Sequence, residues 1–236
     1  MRSALFAAIT AFAGLTGAAA LAEEKPLVVM ELFTSQGCSN CPPADALVAE
    51  LATREDVLPL ALHVDYWDYI GWADSFARPE NTARQKAYAR VAGHGSVFTP
   101  QIVVGGVDHV VGFRPMKVAD LLQAHAAQPR PVEMQIEFDG AVVRIVCEAD
   151  ASKPLPTRMT VDLVAFEPEE TVDIRSGENA GETISYANIV TAWDRLGSWT
   201  GEDTFEVSTR APDTGRLAVI VQEEGPGRVI AAFRVR

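Results

Sequence analysis

The stretch ELFTSQGCSNCPPAD, residues 31–45, holds two of the chain's three cysteines, Cys38 and Cys41, with two residues between them and two prolines directly behind. A C-x-x-C pair serves as a redox centre, as half of a metal site or as a structural staple. Its surroundings narrow the choice. Upstream, LVVMELF (27–33) is an apolar run that does not alternate, as expected of a strand buried on both faces. Downstream, PADALVAELA (43–52) sets Leu47 and Leu51 at helical spacing, with proline in the opening turn. VLPLALHV (57–64) reads as a second strand, and Pro59 within it suggests an edge or an early strand position. The three make a β-α-β unit, for which parallel pairing and a right-handed crossover are expected.

The chain continues with DYWDYIGWADSFAR (65–78), aromatic and loop-like, and PENTARQKAYARV (79–91), a polar helix broken by Gly93 and Gly95. TPQIVVGG (99–106) supplies a third strand that begins at a proline. VDHVVGF (107–113) pairs with it as a hairpin across Gly105-Gly106. PMKVADLLQAHAA (115–127) is an amphipathic closing helix, and QPRPV (128–132) reads as a linker. After residue 131 the character changes. VEMQIEF, AVVRIVCEA, MTVDLVAF, TFEVST, LAVIVQEE and VIAAFRV are short alternating or β-branched runs, separated by turns such as Asp139-Gly140 and Gly225-Pro226-Gly227. Helical pattern there is confined to a turn near Tyr186 to Leu196. This half reads as an antiparallel β sandwich, which gives two domains, 23–129 and 130–236.

Residues 1–22 have the form of a secretory signal peptide: Arg2, an apolar run from Ala4 to about Gly14, then small residues ending in Ala20-Leu21-Ala22. The run is shorter than the roughly 20 apolar residues a membrane span needs. The expected mature chain is periplasmic or secreted, with no membrane anchor, where disulfides persist. Acidic residues number 32 against 20 basic ones, a net charge of −12. That argues against nucleic acid, which needs a basic surface, and against anionic lipid. The sequence carries no signal for an oligomeric state.

The order of a strand, a C-x-x-C, a helix and a strand, followed by a strand opening at Thr99-Pro100, a hairpin and a helix, resembles the thioredoxin fold over roughly residues 26–127. The resemblance implies a cis peptide at Thr99-Pro100, facing the cysteines; an X-Pro bond is the ordinary place for one. ELFTSQGCSNCPPAD, HVDYWDYIGW (63–72), TPQIVVGG and RSGENAG (175–181) resemble a narrower group. These are bacterial secreted proteins with a thioredoxin-like domain, catalogued as a domain of unknown function. That likeness implies the fold and no assigned reaction.

The expected chemistry is disulfide exchange with the thiols and disulfides of partner proteins, without a cofactor. A thiolate near a helix N-terminus is stabilised by unpaired N–H groups and the helix dipole. On this reading Cys38 is the more exposed nucleophile and Cys41 resolves the mixed disulfide. The chain departs from many thioredoxins in having Gly37 where they carry Trp. Pro42 and Pro43 remove two amide donors, and each disfavours helical φ/ψ in the residue before it, Cys41 included. Thioredoxins bury an acid on the first of these strands. The likeness would make Glu31, an acid in an apolar run, a general base for Cys41; a salt-bridged Glu at a strand end explains the residue equally well.

Two other readings stay open. The pair is a permanent disulfide in a binding protein, or it carries Cu(I) with one of His63, His94, His109 or His125, of which His94 stands nearest Thr99-Pro100 in sequence. Zinc is disfavoured, since no second C-x-x-C or H-x-x-x-H appears, and no metal ligands are assigned. Thr99, Pro100, Trp67 and Tyr69 are the candidate substrate-binding residues, although an aromatic cluster of this kind also packs cores. RSGENAG is a glycine-rich turn that would cap the cysteine face. Cys147, in phase with Val143 and Ile145, reads as a small buried hydrophobe.

Overall fold

The apolar, non-alternating run expected at 27–33 forms strand β1, Val28–Thr34, with every residue buried. Helix α1 (Pro42–Leu51) and strand β2 (Val57–His63) follow. β1 and β2 run parallel, in register from Val28↔Val57 to Thr34↔His63. Then come α2 (Pro79–Val91), β3 (Gln101–Val104), β4 (Asp108–Val111) and α3 (Pro115–Ala126). The computed structural model describes residues 27–212 and 215–235, so the expected signal peptide lies outside the described residues. No helix among the described residues is long and apolar enough to cross a membrane.

From residue 132 onward the described elements are strands: β5 (Val132–Asp139), β6 (Val142–Ala149), β7 (Met159–Asp173), β8 (Thr183–Trp199), β9 (Phe205–Arg210), β10 (Arg216–Glu223) and β11 (Val229–Arg234). The helical turn expected near Tyr186–Leu196 is instead the middle of β8. Its β-branched Ile184, Ile189, Val190 and Thr191 suit a pleated surface, and its ladder to β7 runs from Met159↔Trp199 to Asp173↔Thr183.

These strands do not all stack as a separate sandwich. One eight-stranded sheet runs β11-β10-β7-β8-β2-β1-β3-β4, so strands from both halves of the chain share it; β5, β6 and β9 form a second, three-stranded sheet. The halves join where β8 meets β2, through Ala61↔Ile189 in parallel. Pro59 therefore lies in an interior strand rather than at an edge. It has no N–H to give, and its carbonyl accepts instead from the Asn188 side chain at 2.8 Å. A proline facing that seam accounts for the brevity of the β8–β2 ladder.

The alternation of side chains along the strands sorts the core into three clusters. On one face of the large sheet, Val28, Met30 and Leu32 of β1 pack with Ala44, Leu47 and Val48 of α1 and with Val118 and Leu122 of α3. On the same side, beyond β8, Val161, Leu163, Val219 and Val221 pack against Val143, Ile145 and Cys147 of the smaller sheet. Val29, Phe33, Leu58, Leu60 and Leu62 point to the other face and meet Tyr88 of α2. Each phase of β1 thus has its own neighbours, and this division decides what the residues at its end can reach.

Candidate functional site

Cys38 and Cys41 form a disulfide with Cα atoms 5.4 Å apart. They sit past the carboxyl end of β1, at the start of α1. The turn is closed by hydrogen bonds from the Cys38 amide to Ser35 O (3.0 Å) and from the Cys41 amide to Cys38 O (3.1 Å). Cys41 is the N-cap of α1 and adopts right-handed helical dihedrals, φ −83° and ψ −34°, despite the proline behind it. Its carbonyl accepts from the amides of Ala44 and Asp45, which fixes the helical conformation that Pro42 alone would disfavour. The pair is more enclosed than expected. Cys38 is 3% exposed and Cys41 0%, while Ser39 and Asn40 between them face solvent.

Gly37 has a packing reason. A Cβ there would stand 3.2 Å from Ile70 Cδ1 and 3.3 Å from Trp67 Cβ. The aromatic loop fills the space that a Trp at position 37 would need. From that loop, Trp67 Nε1 donates to Thr99 Oγ1 at 2.8 Å, and the Thr99-Pro100 peptide is cis. Trp72 Nε1 donates to Gln36 Oε1, also at 2.8 Å. Three of the candidate binding residues, Trp67, Thr99 and Pro100, are therefore gathered through one loop. The fourth, Tyr69, stacks on Trp67 (ring centroids 6.5 Å, planes 14° apart) and is 81% exposed.

The segment 175–181 caps the cysteine loop. Asn179, buried, donates from Nδ2 to the carbonyls of Gln36 (2.8 Å) and Cys38 (3.1 Å). Ser39 donates to Glu178 at 2.7 Å, and Ser176 to the Gly71 carbonyl at 2.6 Å. Gly177, at φ +83°, comes so near that a Cβ would lie 3.1 Å from Trp72 Cβ.

Glu31 is not behind Cys41. It follows the phase of Val29 and Phe33, so it lies on the face covered by α2, with α1 across the sheet. There it meets Arg84 in a two-pronged ion pair (2.6 and 2.8 Å) and accepts from Tyr88 Oη at 2.5 Å. Gln222 of β10 accepts from Arg84 and donates to Tyr88 Oη, both at 2.9 Å. The Arg84 guanidinium also lies 3.6 Å from the Trp193 ring centroid. Of the two roles open to Glu31, the structure has the salt-bridged one.

The carboxyl on the cysteine side is Asp45, a residue that sequence reasoning passed over. Thr34 and His63 are in-register partners at the ends of β1 and β2, and both are on the α1 phase of their strands. His63 Nδ1 bonds Asp74 Oδ2 at 2.7 Å with both side chains fully buried. Asp74 also accepts from the amides of Gln36 and Phe76, at 2.8 Å each. Burial pushes the Asp45 carboxyl up to about 7. The His63 ring and the neighbouring Thr34 hydroxyl pull it down and the Asp74 charge adds to the rise. Thr34 Oγ1, both Asp45 carboxyl oxygens and His63 Nε2 are buried without a hydrogen-bond partner, so the Thr34 hydroxyl lies beside Asp45 without being aligned to it. The available signal was spacing: Asp45 stands four residues after Cys41, one helical turn along the same face.

His94, the histidine proposed for copper, packs against His109 with ring centroids 5.6 Å apart. Among the described residues no three His, Cys, Asp or Glu side chains gather as a metal site would require. Cys147 is fully buried in the second core, and burial raises its thiol to about 12.

No curated protein matches the sequence. A crystal structure of an Agrobacterium tumefaciens protein is 35% identical, with 90% of this chain and 95% of that one covered, at a TM-score of 0.77. HBP35 of Porphyromonas gingivalis shares the fold at 16% identity and a TM-score of 0.62, over 89% of this chain and 74% of the other. The family model for proteins of unknown function DUF1223 matches residues 29–222, which include the cysteine pair, the aromatic loop and the capping segment, and the chain belongs to that family.

Proposed function

We propose that this is an exported, thioredoxin-like thiol–disulfide exchange protein, acting on partner proteins through Cys38 and Cys41. The observation that carries the reading is the position of the disulfide. It lies at the carboxyl ends of two parallel strands and the start of a helix, the place where open α/β sheets hold their reactive groups. The aromatic loop ties Gly37 beside it to Thr99 and the cis peptide. The strand order β2-β1-β3-β4, with α1 and α3 on one face and α2 on the other, supports a thioredoxin-like reading of the first half. A partner thiolate attacks Cys38, which is marginally the more exposed, and Cys41 leaves.

A second reading has an observation of its own. Both sulfurs are buried and the Asn179 cap covers the loop, which suits a permanent disulfide in a protein that binds a ligand through the aromatic loop. Equilibrating the native chain against graded glutathione or dithiothreitol buffers separates the two. Exchange requires a midpoint between about −270 and −120 mV, and a structural bridge one below about −300 mV. A disulfide that opens only when the chain unfolds removes the exchange reading and leaves the binding one.

A further inference from the structure

Pro129-Arg130-Pro131, in the segment that leads from α3 to β5, sets an arginine between two prolines. The rings restrict the backbone on either side of Arg130, which limits where its long side chain can start. Its Nη1 donates to the Leu27 carbonyl at 3.2 Å, beside the amino end of β1. Here the two halves of the chain meet a second time, since the Val229 amide of β11 donates to the Gly105 carbonyl at 2.8 Å. The Gly105-Gly106 turn comes this near because it has no side chains. Its residues adopt φ of +58° and +79°, and a Cβ on Gly105 would overlap the His125 ring, one on Gly106 the Gly227 carbonyl. Between the proline segment, this turn and β11 lies a cleft of about 590 Å³, its open mouth included.

The cleft presents charge of one sign. Arg130, Arg228 and His125 line it, and among the described residues no acid does, although acids outnumber bases 32 to 20 along the chain. His125 is already engaged, with Nε2 bonded to Asp108 Oδ2 at 2.8 Å. The arginines are not. Among the described residues neither is paired with a carboxylate: the Arg130 guanidinium bonds only the Leu27 carbonyl, and the Arg228 side chain bonds nothing. Partial burial pulls the Arg130 guanidinium below its usual range, with no acid to oppose the shift. A cation taken partly out of water without a counter-charge costs free energy, and an anion in the cleft would offset that cost.

We propose that this cleft binds a small carboxylate with a short apolar body, its head on Arg130 and Arg228 and its body against Leu27, Val229 and Ile230. The head group follows from geometry. A guanidinium is a planar fork of donors that matches the two oxygens of a carboxylate, and Arg130 spends only one nitrogen on Leu27, which also holds the fork in place. The body follows from the remaining walls, which are aliphatic side chains and the rings of Pro129, Pro131 and Pro154. A space of this size, open on one side, suits a small molecule. The site is separate from the disulfide, and the proposal does not depend on exchange: β1 runs from the cleft at Leu27 to the cysteine loop, about 20 Å at roughly 3.3 Å per residue. A ligand there touches β1, the proline segment and β11, so it ties the two halves together.

The test titrates the native, disulfide-intact chain with hexanoate, acetate and inorganic phosphate, followed by backbone amide NMR and by thermal unfolding. Hexanoate should move the Val28, Val29, Gly105 and Ile230 signals saturably and raise the unfolding midpoint, as a ligand of the folded state must. Acetate has the same head without the body and should bind at least about tenfold more weakly, given the apolar groups it lacks. Phosphate should also bind more weakly than hexanoate. Arg228→Gln breaks no bond within the chain, so its unliganded midpoint should match wild type while hexanoate affinity falls about tenfold or more, as expected for a lost hydrogen bond between charged groups. Arg130→Gln should lower the affinity likewise. Hexanoate that causes no saturable shift, or that binds Arg228→Gln and Arg130→Gln as tightly as wild type, overturns the site. Phosphate or acetate binding as tightly as hexanoate overturns the ligand class. Each of these outcomes is read with the disulfide closed, so none of them decides the exchange reading.

Discussion

Asp45 and Glu31, two buried acids on the helix and the strand that flank the cysteine pair, lie on opposite faces of the large sheet. Asp45 belongs to α1 and Glu31 to the phase of β1 that meets α2. Glu31 has an arginine in two-pronged contact and Asp45 has no cation bound to it. The same functional group therefore stands in two different environments, set by which side of one strand its neighbours occupy.

Asp45→Asn should stabilise the protein, and more so at higher pH. The carboxyl titrates near 3.8 when unfolded and near 7 when folded. Between those values the folded state holds a proton that the unfolded state has lost, so stability falls as pH rises through the window. Asparagine carries no such penalty. Relative to wild type, the variant should gain little at pH 4 and up to about 4 kcal/mol above pH 7, at about 1.4 kcal/mol per pKa unit. Urea unfolding at pH 4.5 and pH 8 measures this, and a difference independent of pH would contradict the buried acid.

Glu31→Gln should do the reverse. It leaves the Arg84 guanidinium, 13% exposed, without its carboxylate, and breaking a buried pair from one side typically costs about 3–5 kcal/mol. Because the network faces α2, the rate of disulfide reduction in the folded variant should match wild type within about twofold, well below the effect of losing an acid catalyst. Thermal unfolding and phosphine reduction on the same sample provide both readings. A large fall in the reduction rate would mean that the two faces communicate.

The cap makes a kinetic prediction. Asn179→Ala removes both hydrogen bonds to the Gln36 and Cys38 carbonyls, at a cost of about 1–3 kcal/mol for the groups left unpaired. If movement of residues 175–181 admits the partner to Cys38, the variant should be less stable yet reduced several-fold faster by glutathione below its unfolding range. Equal reduction rates would mean that access runs by another route.

Much of the site was legible because its signals are local. The helix start, the cysteine spacing and the strand that opens at Pro100 depend on residues within one turn or one strand of each other. What escaped was long-range. Nothing near Glu31 announces Arg84, 53 positions away, or that β2 borders β8 across Pro59 and Asn188. Hydrophobic runs of similar composition suit a second sandwich as well as an extension of the first sheet, so the join at Ala61↔Ile189 could not be read from periodicity. The 186–196 stretch misled for a related reason: its Ala, Trp, Asp, Arg and Leu fit helical spacing, and only the β7 ladder holds it extended. Asp45 was the avoidable omission, since i, i+4 spacing from Cys41 placed it on the right face.

Tyr69 offers the clearest separation of packing from recognition. Its ring is 81% exposed and rests on Trp67, which in turn holds Thr99, so a polypeptide lying along Thr99-Pro100 would meet it first. Removing an exposed side chain with no buried hydrogen bond changes stability by about 0.5 kcal/mol or less. Tyr69→Ala should leave the unfolding midpoint and the reaction with glutathione unchanged. It should raise KM for a reduced, unfolded polypeptide several-fold with kcat preserved, because the contact aids binding equally in the ground and transition states. Trp67→Phe adds a control: it gives up the 2.8 Å bond to Thr99, costs about 1 kcal/mol, and should affect both substrates through the geometry of the loop. An unchanged polypeptide KM in Tyr69→Ala would show that this loop only packs and that the partner binds elsewhere.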